Sequence, residues 1–208
     1  MHSVSKIVLV ISLFFALAVS PGLADDADPV ILVLGDSLSA AYNMELDQAW
    51  PSLLQDRLTE DGYAYRVFNS SIVGDTTQSG LTRLPRLLSD YQPTVVIIEL
   101  GGNDGLRGLP LGVTRSNLES MIDQSLAIGA SVVLAGIHIP PNYGKTYTER
   151  FSKMYQELAV EYDVQFIPFL LEGIALDPSL MLEDGIHPTS AAQPLIVDTV
   201  LRALDPVL

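Results

Sequence analysis

Short apolar runs alternate with segments of helical periodicity along most of the chain. Runs rich in β-branched and other apolar residues predict five strands, over residues 30–34, 65–68, 94–100, 131–136 and 164–167. Apolar residues at helical spacing predict a helix after each strand, over residues 49–61, 77–88, 113–128, 147–162 and 190–204. Pro85 interrupts the pattern of the second helix. The alternation predicts one α/β domain, a three-layer α/β/α sandwich with a five-stranded parallel sheet.

The N-terminus has the pattern of a secretory signal peptide. Lys6 precedes an apolar run over residues 7–19, and Pro21 then breaks the helix. Small residues follow at the positions that a signal peptidase reads, which predicts cleavage after Ala24. The alternative is an N-terminal membrane anchor, but the run is short for a span of about 20 residues. We therefore expect a signal peptide over residues 1–24 and the domain over residues 25–208.

Charge and cysteine content narrow the classes of function. The formal net charge is −14, and removal of Lys6 with the signal peptide makes it −15. Such a charge disfavours nucleic acid and anionic membranes as partners. The chain has no cysteine, so the exported domain would have neither disulfides nor thiolate chemistry. We expect no stable membrane anchor after cleavage, and a monomer.

Four polar loop segments stand out, three of them directly after predicted strands. They are Gly35-Asp36-Ser37, Gly74-Asp75, Gly101-Gly102-Asn103-Asp104 and Asp184-x-x-His187. Loops that follow parallel strands converge on one edge of the sheet, where ligands bind in such folds. Ser37 can therefore be a nucleophile held on a tight turn, or it can simply cap the next helix.

A serine nucleophile needs a base, and two histidines remain after the signal peptide. His187 follows Asp184 by three residues, so that one short loop can place the carboxylate on one ring nitrogen and leave the other for Ser37. Alternatively, Asp184 caps a turn and His187 is a surface residue. His138 has no carboxylate nearby in sequence, and we interpret it as a loop or pocket histidine.

Candidate donors to an oxyanion are the backbone N–H groups of Ser37 and Gly74 and the side-chain amide of Asn103. The alternatives are that Gly74 only supplies a turn and that Asn103 only holds its own loop. Asp36, Asp75 and Asp104 also suggest a metal site, but ligand histidines at suitable spacing are missing. We interpret these aspartates as braces for their loops, and expect neither a metal nor a cofactor.

The chain resembles the SGNH (GDSL-type) hydrolase family over essentially the whole predicted mature chain. The resemblance lies in Gly35-Asp36-Ser37-Leu38, the loop that holds Gly74, Gly101-Gly102-Asn103-Asp104 and Asp184-Gly185-Ile186-His187-Pro188. It implies a flavodoxin-like sheet in the order 2-1-3-4-5. It also implies an esterase acting on fatty acyl esters and thioesters, with arylesterase, acyl-CoA thioesterase and lysophospholipase-type activity, and it favours the periplasm.

The resemblance assigns a role to each of five residues. Ser37 is the nucleophile, His187 the base and Asp184 the acid that orients it, while Gly74 and Asn103 complete the oxyanion hole with the Ser37 N–H. The sequence has no departure from the family pattern at these positions.

The loop after Asn103 is the predicted site for the acyl chain. Its leucines suit an apolar groove, and the family resemblance implies a mobile loop that covers the acyl chain; alternatively, these leucines pack into the core. Arg107 would meet an anionic head group or only solvent. The predicted substrate-binding residues are Leu106, Arg107, Leu109, Pro110 and Tyr143.

Two other functions remain open at this point. A carbohydrate or other short-chain acetylesterase would use the same scaffold, although the leucine-rich loop argues against it. A non-catalytic binding module would have no need for Ser, Asp and His together with an oxyanion asparagine. The expected partner is a small-molecule acyl ester or thioester.

Overall fold

The computed structural model describes residues 28–208, so the predicted signal peptide lies outside the described residues. The strands are β1 (Val30–Gly35), β2 (Arg66–Asn69), β3 (Val95–Glu99), β4 (Ser131–Ala135) and β5 (Gln165–Ile167). The helices are α1 (Trp50–Glu60), α2 (Thr77–Tyr91), α3 (Gly102–Leu106), α4 (Leu111–Ala127), α5 (Lys145–Tyr162) and α6 (Gln193–Leu204). Short 3-10 turns precede α1, α5 and α6.

The five strands form one sheet in the order β2-β1-β3-β4-β5, and every neighbouring pair is parallel. This confirms the predicted fold class and the flavodoxin-like order. In the β1–β3 pair, Gly35 is level with Glu99, so the carboxyl ends of the two central strands coincide.

Two hydrophobic cores lie on the two faces of the sheet. Because successive strand residues point to opposite faces, Leu32 and Leu34 of β1 join one core and Ile31 and Val33 the other. Helices α2, α4 and α5 cover the first face, and α1 and α6 cover the second. The loops beyond the carboxyl ends of the strands form the edge at which the polar segments collect.

The structure differs from the sequence prediction in two helices. Helix α2 continues through Pro85 to Tyr91, although proline cannot donate the helical hydrogen bond. The burial of Leu84 and Leu88 on either side of Pro85 outweighs this cost. Helix α3 was not predicted, since its Gly-Asn-Asp-Gly sequence is typical of a loop. In residues 28–208, no helix is long and apolar enough to cross a membrane.

Gly80 lies where α2 packs closely against Leu100, just beyond β3, and against α4. A Cβ atom at this position would collide with the Leu100 side chain and contact Met121 Sδ at 3.6 Å. We expect Gly80→Ala to lower the free energy of unfolding by about 1–3 kcal/mol, measured by urea denaturation.

Gly112 provides the matched control, because it is also helical and a Cβ atom there would meet nothing within 4 Å. Gly112→Ala should stay within about 1 kcal/mol of the wild type, on the stabilising side. Equal effects of the two substitutions would contradict this account of the α2 packing.

Candidate active site

Ser37 lies on a tight turn two residues beyond β1. The Ser39 N–H donates to the Asp36 carbonyl at 3.2 Å, and the Leu38 N–H donates to Asp36 Oδ1 at 3.1 Å. Helix α1 begins only at Trp50, so Ser37 does not cap it. The turn places the Ser37 side chain in the wall of a cavity at the carboxyl edge of the sheet.

A short loop before α6 brings Asp184 and His187 to Ser37. Asp184 Oδ1 accepts from the backbone N–H groups of Ile186 at 2.9 Å and His187 at 3.0 Å. Asp184 Oδ2 lies 2.7 Å from His187 Nδ1, and His187 Nε2 lies 2.8 Å from Ser37 Oγ. Because a carboxylate only accepts, Nδ1 carries the ring hydrogen and Nε2 accepts from the Ser37 hydroxyl.

The charge of Asp184 is stabilised by the same bonds. Burial alone would raise the pKa of Asp184, but the hydrogen bonds from the His187 N–H, the His187 ring and the Ile186 N–H outweigh it and lower the pKa from 3.8 to about 2. Asp184 is therefore ionised at neutral pH and fixes the ring orientation of His187.

Gly74 and Asn103 line the same cavity as Ser37. Gly74 has a φ of +79°, which suits glycine, in a turn closed by the Asp75 N–H on the Ile72 carbonyl at 3.1 Å. Within residues 28–208, the backbone N–H groups of Ser37 and Gly74 donate to no other protein group. Two backbone donors therefore remain available at the cavity.

The Asn103 amide is held between two loops. Its Nδ2 donates to Asp36 Oδ2 at 3.0 Å and to the Asp75 carbonyl at 2.9 Å. These bonds join the loops after β1, β2 and β3 into one unit. They also engage both hydrogens of the amide, so that a ligand oxygen must share or replace one of the present acceptors.

The aspartates of these loops hold protein groups. Asp75 pairs with Arg83 at 2.7 Å, and Arg83 also donates to Ser70 Oγ at 2.8 Å. Asp104 accepts from the Thr77 N–H at 2.9 Å and from the Thr77 hydroxyl. In the part of the chain that the structure describes, no group of three His, Cys, Asp or Glu residues is arranged to hold a metal ion.

The cavity has a volume of about 940 Å³. Its walls are largely apolar, and come mainly from the loops after β4 and β5, with Ile137, Ile139, Phe169, Leu171, Leu176 and Met181. The charged side chains that line it are acidic, namely Asp36, Glu172 and Asp177; within residues 28–208 it has no lysine or arginine. An apolar cavity beside a serine hydroxyl can hold a hydrocarbon chain next to the reacting group.

Comparison with known proteins identifies the family. The model of the GDSL-like lipase/acylhydrolase family matches residues 33–194, more than half of the chain. The chain belongs to this family. The match confirms the family resemblance predicted from the sequence. This GDSL-like hydrolase is therefore an enzyme.

Two relatives and one solved structure are similar over most of their length. Esterase TesA of Pseudomonas aeruginosa is 48% identical over 182 residues, which are 88% of this chain and 90% of that protein. Thioesterase 1/protease 1/lysophospholipase L1 of Escherichia coli K12 is 46% identical, over 88% of this chain and 86% of that protein. The crystal structure of the psychrotrophic esterase EstA from Pseudoalteromonas sp., inhibited by monoethylphosphonate, has a TM-score of 0.82 and 39% identity, and covers 86% of this chain and 98% of that one.

The predicted substrate-binding residues fall into two groups. Leu106 lines the cavity, whereas Arg107, Leu109, Pro110 and Tyr143 are not in its wall. Arg107 Nη2 donates to the Gly74 carbonyl at 3.0 Å, and Pro110 lies at the N-terminal cap of α4.

Two tyrosines hold the backbone of this loop instead. The Tyr143 hydroxyl donates to the Leu106 carbonyl at 2.8 Å, and the Tyr147 hydroxyl donates to the Leu109 carbonyl at 3.3 Å. The Leu106 side chain therefore contributes to the cavity wall, while the carbonyls of Leu106 and Leu109 fasten the segment to the protein.

His138 lies in the loop after β4, far from Asp184 and His187 in sequence, and lines the cavity. Its ring is exposed and stacks on Phe169 with the centroids 4.2 Å apart and the planes at 11°. This is the placement expected of a pocket histidine.

Sequence reasoning missed two residues of the site. Tyr42 stacks on the His187 ring with the centroids 4.0 Å apart, but it lies in an irregular loop with no pattern to single it out. Glu99 is fully buried beneath the Ser37 turn. Its one sequence signal is a charged residue at the end of an otherwise apolar strand.

Asp36 is an ionisable group buried next to the site, with 3% of its surface exposed. Burial raises the pKa of Asp36 from 3.8 to about 6, and the charge of Asp75 adds to the shift, while bonds from the Leu38 N–H and the Asn103 amide and the charge of His187 oppose it. Between pH 4 and 6 the folded protein thus retains a proton that the unfolded chain has released.

This raised pKa predicts that wild-type stability falls as the pH rises through that window. Asp36→Asn removes the titration, so we expect the wild type to lose up to about 3 kcal/mol more than the variant between pH 4 and pH 7. Urea denaturation at both pH values measures the difference. Asp184 titrates below this window and does not interfere. The pKa of Glu99 is also raised, in part by the charge of Asp36, so Glu99 contributes to the loss in both proteins and more in the wild type. Parallel pH profiles of the two proteins would contradict the prediction.

Proposed function

We propose that this GDSL-like hydrolase is a serine esterase that hydrolyses fatty acyl esters and thioesters through an acyl-serine intermediate. The observation that carries the proposal is the continuous chain from Asp184 through His187 to Ser37, with distances of 2.7 and 2.8 Å, in the wall of an apolar cavity. In this role Ser37 is the nucleophile, His187 the base and Asp184 the residue that orients the base.

Acylation begins when Ser37 Oγ bonds to the acyl carbon while its proton passes to His187 Nε2. The tetrahedral carbon then breaks its bond to the leaving oxygen or sulfur, which takes the proton from Nε2. The acyl group remains as an ester on Ser37, and Asp184 stabilises the imidazolium that exists between the two proton transfers.

Deacylation repeats the same steps with water. A water molecule gives a proton to His187 Nε2 as its oxygen attacks the acyl carbon. The bond to Ser37 Oγ then breaks, Ser37 recovers the proton, and a carboxylic acid leaves. Both steps use only the side chains of the enzyme and one water molecule.

The negative oxygen of each tetrahedral state is stabilised by the N–H groups of Ser37 and Gly74. Neither donates elsewhere in the protein within residues 28–208, which supports this role. The Asn103 amide is the third donor. One of its bonds, to Asp36 or to the Asp75 carbonyl, is shared with or exchanged for the oxyanion as it forms.

The apolar cavity supports fatty acyl chains over acetyl groups. The cavity of about 940 Å³, lined by aliphatic and aromatic side chains, is far larger than an acetyl group. Burying an acetyl group there would remove little apolar surface from water, so a sugar acetate would gain little binding free energy. The two relatives, an esterase and a thioesterase/lysophospholipase, support the same substrate class.

The compartment of the enzyme determines which substrates it meets in the cell. We propose that residues 1–24 are a signal peptide and that the mature enzyme works in the periplasm. Coenzyme A thioesters are cytosolic, so an exported enzyme would meet lysophospholipids or other fatty esters instead. Thioester hydrolysis would then be an activity of the purified protein rather than its role in the cell.

The mechanism through Asp184, His187 and Ser37 predicts that esterase activity depends completely on Ser37. With p-nitrophenyl esters from acetyl to palmitoyl, we expect the mature wild type to be most active on medium or long chains. Ser37→Ala should lower kcat by about 10³-fold or more and abolish labelling by a fluorophosphonate. Activity that survives Ser37→Ala would refute the mechanism, and a sharp preference for acetyl would transfer the substrate to the acetylesterase alternative.

Leu106 tests the position of the acyl chain. Leu106→Ala removes apolar surface from the cavity wall, so kcat/KM for a decanoyl ester should fall about tenfold while that for the acetyl ester changes little. Leu126→Ala, a similar truncation on α4 outside the cavity, is the control. Equal chain-length profiles for the two variants would show that the acyl chain does not contact Leu106.

A further inference from the structure

Glu99 is a buried carboxyl group that lies directly beneath the Ser37 turn. It is the last residue of β3, and no part of its surface is exposed. The other four residues of β3 are Val or Ile, and both faces of the strand are buried. A carboxyl group in such a position is costly unless its hydrogen bonds compensate, so its contacts indicate what it does.

One oxygen of Glu99 holds both sides of the Ser37 turn. Glu99 Oε2 accepts from the Asp36 backbone N–H at 3.2 Å and from the Ser39 hydroxyl at 2.8 Å. These two donors belong to the residue before Ser37 and to the second residue after it. The carboxyl group therefore fixes the backbone from which the Ser37 side chain and N–H project.

Ser39 is itself fixed by two further residues. Trp50 Nε1 donates to Ser39 Oγ at 3.1 Å, and Asn69 Nδ2 donates to the Ser39 carbonyl at 2.7 Å. Since the indole N–H can only donate, the Ser39 hydroxyl accepts from Trp50 and uses its own hydrogen for Glu99. The turn is thereby joined to β3, to α1 and to the end of β2.

The surroundings of Glu99 favour its neutral form, because the group is fully buried and an ionised carboxylate there would need a compensating cation. Oε2 accepts two hydrogen bonds, whereas Oε1 is buried and has no partner within residues 28–208. No cation contacts the group in that part of the chain, so an ionised carboxylate would be left uncompensated. Burial, together with the nearby charge of Asp36, raises the pKa of Glu99 well above its usual value.

Gly35 makes the close approach possible. A Cβ atom at Gly35 would lie 2.8 Å from Glu99 Oε2, 2.8 Å from Ser71 Oγ and 2.9 Å from Ser39 Cβ. Any larger residue would push the carboxyl group away from the turn. The glycine that precedes the Asp36-Ser37 pair is thus required by the side chain of the neighbouring strand.

We propose that Glu99, in its neutral form, is a positioning residue that holds the Ser37 turn so that Oγ meets His187 Nε2 and the Ser37 N–H faces the oxyanion. The proposal rests on the proposed function of Ser37 as nucleophile. It assigns Glu99 a role in the chemical step rather than in substrate binding, because Glu99 is not in the cavity wall.

Two substitutions at Glu99 separate positioning from charge. Glu99→Gln keeps an acceptor oxygen for both donors and carries no charge, whereas Glu99→Met keeps the volume and leaves the Asp36 N–H and the Ser39 hydroxyl without their acceptor. With the p-nitrophenyl ester, Glu99→Met should lower kcat about 30- to 100-fold with KM within threefold of the wild type. Glu99→Gln should restore kcat to within about fivefold of the wild type.

Gln55→Met is the matched control for loss of a structural acceptor. Gln55 Oε1 accepts from the Val67 N–H at 2.7 Å and joins α1 to β2 away from the cavity. This variant should lower the melting temperature but leave kcat within twofold of the wild type. If Glu99→Met does not fold, Ser39→Ala tests the same turn, and should lower kcat about five- to tenfold at constant KM.

Each outcome bears on one proposal. Wild-type kcat in folded Glu99→Met, or in Ser39→Ala if Glu99→Met does not fold, would overturn the positioning role, and a Glu99→Gln variant as impaired as Glu99→Met would overturn the neutral form. The rate of fluorophosphonate labelling, measured in parallel, should follow kcat. Ser37→Ala distinguishes the two proposals, since activity without Ser37 would refute the nucleophile itself, whereas activity without Glu99 would refute only its positioning role.

Discussion

The parallel pairing of β1 with β3 is the constraint on which the rest of the site depends. It sets Gly35 level with Glu99, so that the residues beyond both strands meet at one edge. Ser37 follows one strand and Asn103 follows the other, and Asp36 joins them through the Asn103 amide at 3.0 Å. A shift of one residue in this register would turn the side chains of β1 to the opposite core and separate these groups. The same apolar burial that stabilises the sheet therefore also sets the geometry of the chemistry.

The Asp184–His187 loop is organised differently, through local bonds. Asp184 accepts from the backbone N–H groups of Ile186 and His187 and from the His187 ring, all within four residues. The loop is completed by backbone bonds between Leu182 and His187 and between Thr189 and Leu180. Sheet register thus positions Ser37, whereas hydrogen bonds within one loop position Asp184 and His187. The bond between His187 and Ser37 joins these two parts of the site.

The elements with strong sequence patterns were predicted well, and the misses have physical causes. The strands and long helices follow from apolar periodicity. Ser37 was singled out by its position after a strand, and Asp184 and His187 by their three-residue spacing in one short loop. Residues that act through distant contacts could not be found in this way. Glu99 binds Asp36 and Ser39 about 60 positions earlier in the chain, and Tyr42 lies in an irregular loop. The assignment of Arg107 and Tyr143 to the substrate rested on proximity in sequence, whereas their side chains bond to backbone carbonyls.

The acidic lining of the cavity has a consequence for the end of the reaction cycle. An ester enters as an uncharged acyl group, but hydrolysis leaves a fatty acid that ionises at neutral pH. The cavity offers this anion no lysine or arginine within residues 28–208, and Asp36, Glu172 and Asp177 line its walls. Coulomb repulsion raises the free energy of the bound product while leaving that of the bound ester unaffected. The acidic walls therefore favour release of the fatty acid anion and weaken product inhibition.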